Sequence, residues 1–240
     1  MIRLILCLTL IALFLILGLP LLGIIWIISI SDKKAAERIA RNSLRGLAKA
    51  VLFIAGVKLK VTGREHLLNT PVLYVANHQS NFDAIAILAQ DKIDFGFIAK
   101  KELSKIPFLG PWMKLMGCIF LDRDDIRSGM KVILSAIENI NAGTSVFIFP
   151  EGTRSNDCTI GEFKGGSFKI ATKSKCPIIP ITIKGTADIY EKHAPIISPG
   201  KVVLSIGEPV YVDKLSPESK KHIASHVREI ISSTYKALEL

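Results

Sequence analysis

From Leu4 to Ser31 the chain carries no charged side chain. As a continuous helix at about 1.5 Å per residue, this run reaches roughly 42 Å. That exceeds the ~30 Å hydrocarbon core of a bilayer. The run predicts insertion into a membrane. Gly18, Pro20 and Gly23 interrupt it, which leaves three geometries open: a tilted spanning helix, a kinked one, or two short helices dipping into one leaflet. A cleaved signal peptide would have an apolar region of about 7 to 15 residues ending in a small-residue site. The segment "IIWIISISDKK" offers no such site.

Behind the run, "SDKKAAERIARNSLRGLAKAVLFIAG" carries Lys34, Arg38, Arg41, Arg45 and Lys49 at helical spacing, with Ile39, Leu44, Leu47 and Val51 on a second stripe. This pattern predicts an amphipathic basic helix suited to anionic headgroups, with a solvated helix face as the alternative. Only Arg3 flanks the apolar run on its other side. The charge bias therefore places residues 33 onward on the cytoplasmic side of a cell membrane. The expected division is a membrane segment over 1–32, an interfacial helix over 33–56 and a catalytic domain over 57–240.

The formal net charge of +10 admits nucleic acid, a membrane surface or anionic substrates as partners. The apolar segment argues against nucleic acid, and no zinc-finger spacing, RNA-binding aromatic motif or helix-turn-helix signature reverses that. Cys7, Cys118, Cys158 and Cys176 lack paired spacing, as reduced thiols packed as small hydrophobes would. No disulfide is expected.

After Gly56 short apolar runs alternate with helical stretches. Strands are predicted at 58–62, 71–76, 95–99, 118–121, 145–149, 178–183 and 201–206. Helices are predicted at 81–90, 101–116 with breaks, 126–141, 167–175 and 216–238. This alternation implies an α/β fold, a mostly parallel or mixed central sheet flanked by helices. In such folds ligands collect beyond the carboxyl ends of the strands. Three segments there are polar: "ANHQSNFD", "LDRDD" and "FPEGTRS".

In the first, His78 leaves a strand and Asp83 falls in the first turn of the next helix. A carboxylate that accepts one imidazole N–H fixes the tautomer and frees the other nitrogen to take a proton. Alternatively Asp83 is a helix cap and His78 a polar loop residue. A base needs a nucleophile. Ser80 lies two residues from His78 and lacks the G-x-S-x-G elbow, and "GGSFK" at 165–169 lacks it too. A substrate hydroxyl fits better. In the last segment Glu151, Gly152, Thr153 and Arg154 follow an apolar strand, the glycine permitting close approach and the arginine offering a fork for phosphate. Lys100 and Arg123 sit at comparable strand ends. Together these cations suggest a phosphomonoester; singly, each suits a surface ion pair.

Residues 106 to 121, "IPFLGPWMKLMGCIFL", suit an acyl-chain channel, a membrane-dipping segment or buried core. His222 and His226 stand four apart on a predicted helix without H-E-x-x-H or a third ligand, which suits a solvated face better than zinc. His66 and His193 receive no role, and "SKCPIIPITIKG" is a strand whose prolines set its entry.

In order, "NHQSNFD", "KKELSKIPFLGPWMKLMGCIFLDRDD", "FPEGTRS" and "CPIIPI" resemble the four blocks of the glycerolipid acyltransferase family, and most of all its lysophosphatidate acyltransferases. The resemblance covers roughly residues 57 to 210. It implies His78 as base, Asp83 as its partner, and Arg123, Glu151, Gly152 and Arg154 in the acceptor site, with Thr153 beside them and Lys100 as a looser match. It implies transfer of an acyl group from acyl-CoA or acyl carrier protein, as co-substrate, to the sn-2 hydroxyl of lysophosphatidate, giving phosphatidate without metal or prosthetic group. Oxyanion donors would come from backbone N–H groups near the His78 or Glu151 turns. Three alternatives stay open: another acceptor such as glycerol-3-phosphate or a different lysophospholipid, a membrane-bound lipid or thioester hydrolase, and a non-enzymatic membrane-binding protein.

Overall fold

A computed structural model describes residues 1–122, 125–155 and 159–240. All seven expected strands are present: β1 (Val57–Thr62), β2 (Leu73–Ala76), β3 (Phe95–Lys100), β4 (Ile119–Leu121), β5 (Ser145–Ile148), β6 (Ile178–Lys184) and β7 (Gly200–Ile206). They form one sheet in the order β1-β7-β6-β2-β5-β3-β4. Every neighbouring pair is parallel except β6 and β7. β2 and β5 are buried at every position, because helices cover both faces and a continuous apolar run is then the only stable pattern. The edge strand β1 alternates instead, with Lys58 and Lys60 exposed, and charged side chains on an edge discourage pairing with a second sheet.

The helices are α1 (Ile2–Leu17), α2 (Leu19–Ser31), α3 (Lys33–Ala55), α4 (Asn81–Leu88), α5 (Leu109–Leu115), α6 (Ile126–Asn141), α7 (Lys169–Ser174), α8 (Pro217–Lys221) and α9 (Ile223–Ala237). Two expectations change in detail. The 101–116 stretch becomes a 3-10 turn over Lys101–Lys105 followed by α5, parted at Pro107 and at Phe108, whose φ is 64°. The C-terminal helix splits at His222, where φ −112° and ψ 34° interrupt the helical path. One apolar core lies under α1 to α4, the other under α6, α7 and α9.

The uncharged N-terminal run is not one helix. It breaks at Gly18, and α1 and α2 meet at a bend of 53°. Pro20, in the first turn of α2, has no amide hydrogen to return to the preceding turn and so favours a new helix start. Trp112 fills the inner side of the bend: a Cβ on Gly18 would stand 3.1 Å from its ring and 2.5 Å from the Phe14 carbonyl. Among the described residues no single helix is long and apolar enough to cross a membrane, although the bent pair passes by length and composition.

The pair lies back along α3. Arg3 Nη1 donates to Ala55 O at 2.9 Å, Cys7 Sγ reaches Val51 O, and Asp32 caps α3 by accepting from Ala35 N. The apolar stripe of α3 is buried at Ala36, Ala40, Leu44, Ala48 and Val51, so this helix packs within the protein. Two cations of its basic stripe, Arg41 and Arg45, also turn toward the body, while Lys49 stays exposed in a surface pair with Asp91. Arg41 Nε donates to Phe95 O, Arg45 Nη2 to Ile93 O and Asp94 Oδ1, and Lys49 Nζ to Asp91. These ties fix the loop that feeds β3. Lys34 and Arg38 line a cleft of about 560 Å³ with Asp32, Asp94 and Thr144.

Candidate active site

Because β2, β3, β4 and β5 run parallel, their carboxyl ends reach one edge of the sheet. There Asn77 locks the exit of β2: its side-chain amide donates to Ile183 O and its oxygen accepts from Ile183 N, both at 2.8 Å. The next residue is His78. Its Nδ1 lies 2.9 Å from Asp83 Oδ2. The same carboxylate oxygen accepts from Gln79 N at 2.6 Å and Ser80 N at 2.8 Å, and Oδ1 accepts from the Thr186 hydroxyl. Asp83 is fully buried. Such convergence of donors fixes an acceptor-only carboxylate opposite Nδ1, so Nδ1 carries the proton and Nε2 presents a lone pair.

Asp83 is also a helix cap, since Ser80 and Asp83 form a capping box at the start of α4. The two readings of the five-residue step are therefore both realised by one carboxylate. Ser80 Oγ accepts from Phe82 N at 2.9 Å, and the residue is fully buried. This placement holds the hydroxyl oxygen on the helix start and away from solvent.

The His78 ring stacks on Phe149 at 4.1 Å between centroids and 17° between planes. Both line a cleft of about 390 Å³ whose polar lining is Asn81, Lys100, Thr153 and Arg154 and whose apolar lining includes Ala84, Phe97, Leu103 and Met113. The structure thus brings His78, Lys100, Thr153 and Arg154 to one cavity. Arg123 lies outside the described residues. The 106–121 segment divides: Trp112 and Met116 are buried core, Met113 faces the cleft, and Pro111, Lys114 and Leu115 face α2 across an apolar groove.

Glu151, expected in the acceptor site, is buried behind the His78 loop. Its Oε1 accepts from His78 N at 2.7 Å and its Oε2 from Gly161 N at 2.9 Å. A carboxylate with both oxygens on backbone donors positions the His78 loop. Burial raises its pKa, against the lowering effect of those two hydrogen bonds. Gly152 follows in the left-handed region at φ 74°, a conformation that favours glycine. Ser155 N then donates to His78 O at 3.0 Å. The loop after β5 grips the histidine's backbone on both sides.

Several backbone N–H groups near the His78 and Glu151 turns are engaged. The backbone N–H of His78 is taken by Glu151, those of Gln79 and Ser80 by Asp83, that of Asn81 by Glu191 Oε1, that of Gly152 by Phe149 O and that of Ser155 by His78 O.

Arg154 Nη1 donates to Glu191 Oε1 at 3.0 Å. Lys100 lies 3.6 Å from Glu102, with both side chains about half exposed. Glu191 and Thr186 have no signal of their own in the sequence, because each acts across more than 30 positions of chain, whereas Asn77 and Phe149 stand at the heads of "NHQSNFD" and "FPEGTRS" without a role assigned to them there. His66 Nδ1 lies 2.8 Å from Ile206 O. Among the described residues no group of three His, Cys, Asp or Glu side chains is placed to hold a metal, and Cys7, Cys118 and Cys176 are free thiols. Cys158 lies outside the described residues.

Residues 58–184 match the family described as Acyltransferase. The chain is 39% identical over 173 residues to a protein of Brassica napus named 1-acyl-sn-glycerol-3-phosphate acyltransferase BAT2, chloroplastic, covering 70% of this chain and 50% of that one. It is 31% identical over 204 residues to the 1-acyl-sn-glycerol-3-phosphate acyltransferase of Borreliella burgdorferi, covering 85% and 82%. The chain thus spans about half the length of the plant relative and most of the bacterial one. The crystal structure of the 1-acyl-sn-glycerophosphate acyltransferase PlsC from Thermotoga maritima superposes with a TM-score of 0.81 at 26% identity, over 99% of this chain and 96% of that one. On the extent of the family match and the coverage of the bacterial relative, the chain belongs to the acyltransferase family.

Proposed function

We propose that the protein transfers a fatty acyl group from an acyl thioester to the sn-2 hydroxyl of 1-acylglycerol-3-phosphate, giving phosphatidate. The observation that carries this reading is the His78–Asp83 pair at a cleft lined by both Arg154 and Lys100 and by apolar side chains. Such a cavity suits an acceptor with an anionic head and a lipid tail.

In the mechanism, His78 Nε2 takes the hydroxyl proton as the oxygen attacks the thioester carbonyl. Asp83 steadies the imidazolium through Nδ1–H. The tetrahedral intermediate then expels the thiolate, and His78 returns the proton to sulfur. No acyl-enzyme is needed, in keeping with the buried Ser80. Arg154 and Lys100 bind the acceptor's phosphate, with Thr153 beside them, and Glu151 acts through the backbone of His78.

We assign residues 1–32 to the bilayer as two short helices in one leaflet, with the 33–240 body on the cytoplasmic face. The bend at Gly18 and the packing of both helices along α3 support that choice over a spanning helix. A panel of donors (acyl-CoA, acyl carrier protein) and acceptors (lysophosphatidate, glycerol-3-phosphate, a lysophospholipid with a larger headgroup), scored by thiol release and lipid product, tests the assignment. Transfer to other acceptors with none to lysophosphatidate overturns it.

A further inference from the structure

We infer that Lys164, outside every motif that marks the site in the sequence, is a specificity-determining residue that binds the doubly charged phosphate of the acceptor from the side opposite Arg154. The inference rests on the proposed reaction. The chain after β5 makes a long excursion and returns so that Lys164 N donates to Pro150 O at 3.0 Å. This bond fixes the residue beside the turn that holds Gly152 and Arg154. Its side chain then lies over Gly152: a Cβ there would stand 2.7 Å from Lys164 Nζ. The glycine thus serves both its left-handed backbone and the seat of an ammonium group.

Lys164 and Gly152 line a small cavity of about 70 Å³ with Pro150, Leu121 and Ser167. Phe149, Ile98 and Ala99 line both this cavity and the His78 cleft, so the two spaces flank the same strand ends. Charge balance singles out Lys164 further. Arg154 is paired with Glu191, Lys100 stands beside Glu102, and Lys101 is paired with Asp122. Among the described residues Lys164 Nζ has no carboxylate within ion-pair distance, and its neighbour Glu162 is not bonded to it. A phosphomonoester dianion needs more positive charge than a guanidinium already shared with a carboxylate supplies. An ammonium across the turn with no carboxylate partner among the described residues provides it, and as a flexible point charge it can follow the headgroup.

The test compares Lys164→Gln and Lys164→Arg with the unaltered protein, using lysophosphatidate as phosphomonoester acceptor and a lysophospholipid with a phosphodiester headgroup as control. Lys164→Gln should raise KM for lysophosphatidate about tenfold or more, from the typical strength of a hydrogen bond to a charged group. The kcat, the donor KM and the melting temperature should stay near their original values. Lys164→Arg should restore most of the acceptor affinity. An unchanged KM for lysophosphatidate in Lys164→Gln, or an equal rise for the phosphodiester acceptor, overturns the role of Lys164 while leaving the reaction standing. Absence of transfer to lysophosphatidate by the unaltered protein overturns both.

Discussion

The sheet edge and the N-terminal helix pair break the usual rule of burial in opposite directions. At the edge, polar groups are inside: Asn77, Gln79, Ser80, Asp83 and Glu151 are all buried. In the helix pair, apolar groups are outside: Ile2 is 75% exposed, Leu17 73% and Ile30 74%. Single exposed apolar residues are ordinary, whereas buried polar clusters and continuous apolar surfaces are informative. The edge tolerates burial because nearly every polar atom has a partner, which makes it rigid. The helix pair leaves its outer face uncovered by the rest of the described chain, and under the proposed placement a lipid phase would cover it. The first region is thus held from within the chain, whereas the second presents a surface for something outside it.

Changes at the edge should therefore cost most. Replacing His78 by Ala removes the base and should lower kcat at least a hundredfold, as general-base catalysis commonly contributes about 10² to 10⁴ in rate. Thermal melting should be nearly unchanged, since the backbone bonds of residue 78 remain. A fall of only a few-fold with the fold intact would sink the His78–Asp83 dyad.

Glu151→Gln comes next. The amide can accept from only one of the two backbone donors and turns an NH₂ toward the other, a mismatch that should cost about 1 to 3 kcal/mol. Denaturant unfolding and kcat should both fall. The effect carries a pH signature. Burial raises the folded-state pKa of Glu151 above the ordinary 4.5, so the folded protein holds this proton more tightly than the unfolded chain. Glu151 therefore contributes stability from its own titration that is fully present below the unfolded pKa and lost as pH rises through the folded one. The stability difference between the unaltered protein and Glu151→Gln should shrink as pH is raised through that window. A difference that is flat in pH would show that the carboxylate does not titrate differently in the two states.

On the other side of the comparison, Ile27→Ser with Ile30→Ser should leave melting nearly unchanged, because both side chains are exposed. It should weaken binding to phospholipid vesicles by about tenfold, taking less than one fully buried side chain's transfer energy for the pair. Cosedimentation measures it. Unaltered vesicle binding would argue that the outer face of α2 does not enter lipid.

How much of this was legible in the sequence follows the range of the interaction. The His78–Asp83 pair was readable because both residues belong to one strand end and the first turn of α4, so local geometry nearly determines their contact. The strands were readable because sheet burial leaves continuous apolar runs. The role of Glu151 was not, since its partners His78 N and Gly161 N depend on how the loop after β5 crosses the exit of β2. The inward turn of Arg41 and Arg45 was hidden for the same reason: a basic stripe at helical spacing suits headgroups and the 91–94 loop equally well. Only the packed chain shows that these two take the loop as partner.

Ser80→Ala should have the smallest effect and is the cleanest discriminator between acyl transfer and serine hydrolysis. Its oxygen caps α4 through Phe82 N. Loss of such a cap costs typically about 1 kcal/mol, a modest fall in melting temperature. The Ser80 N–H that supports Asp83 is a backbone group and survives the substitution, so the carboxylate keeps its hold on His78 and acyl transfer should stay within a few-fold of its original rate. Loss of all activity with stability preserved would instead make Ser80 the nucleophile, and would mean that the rigid edge opens enough to expose a residue this structure keeps fully buried.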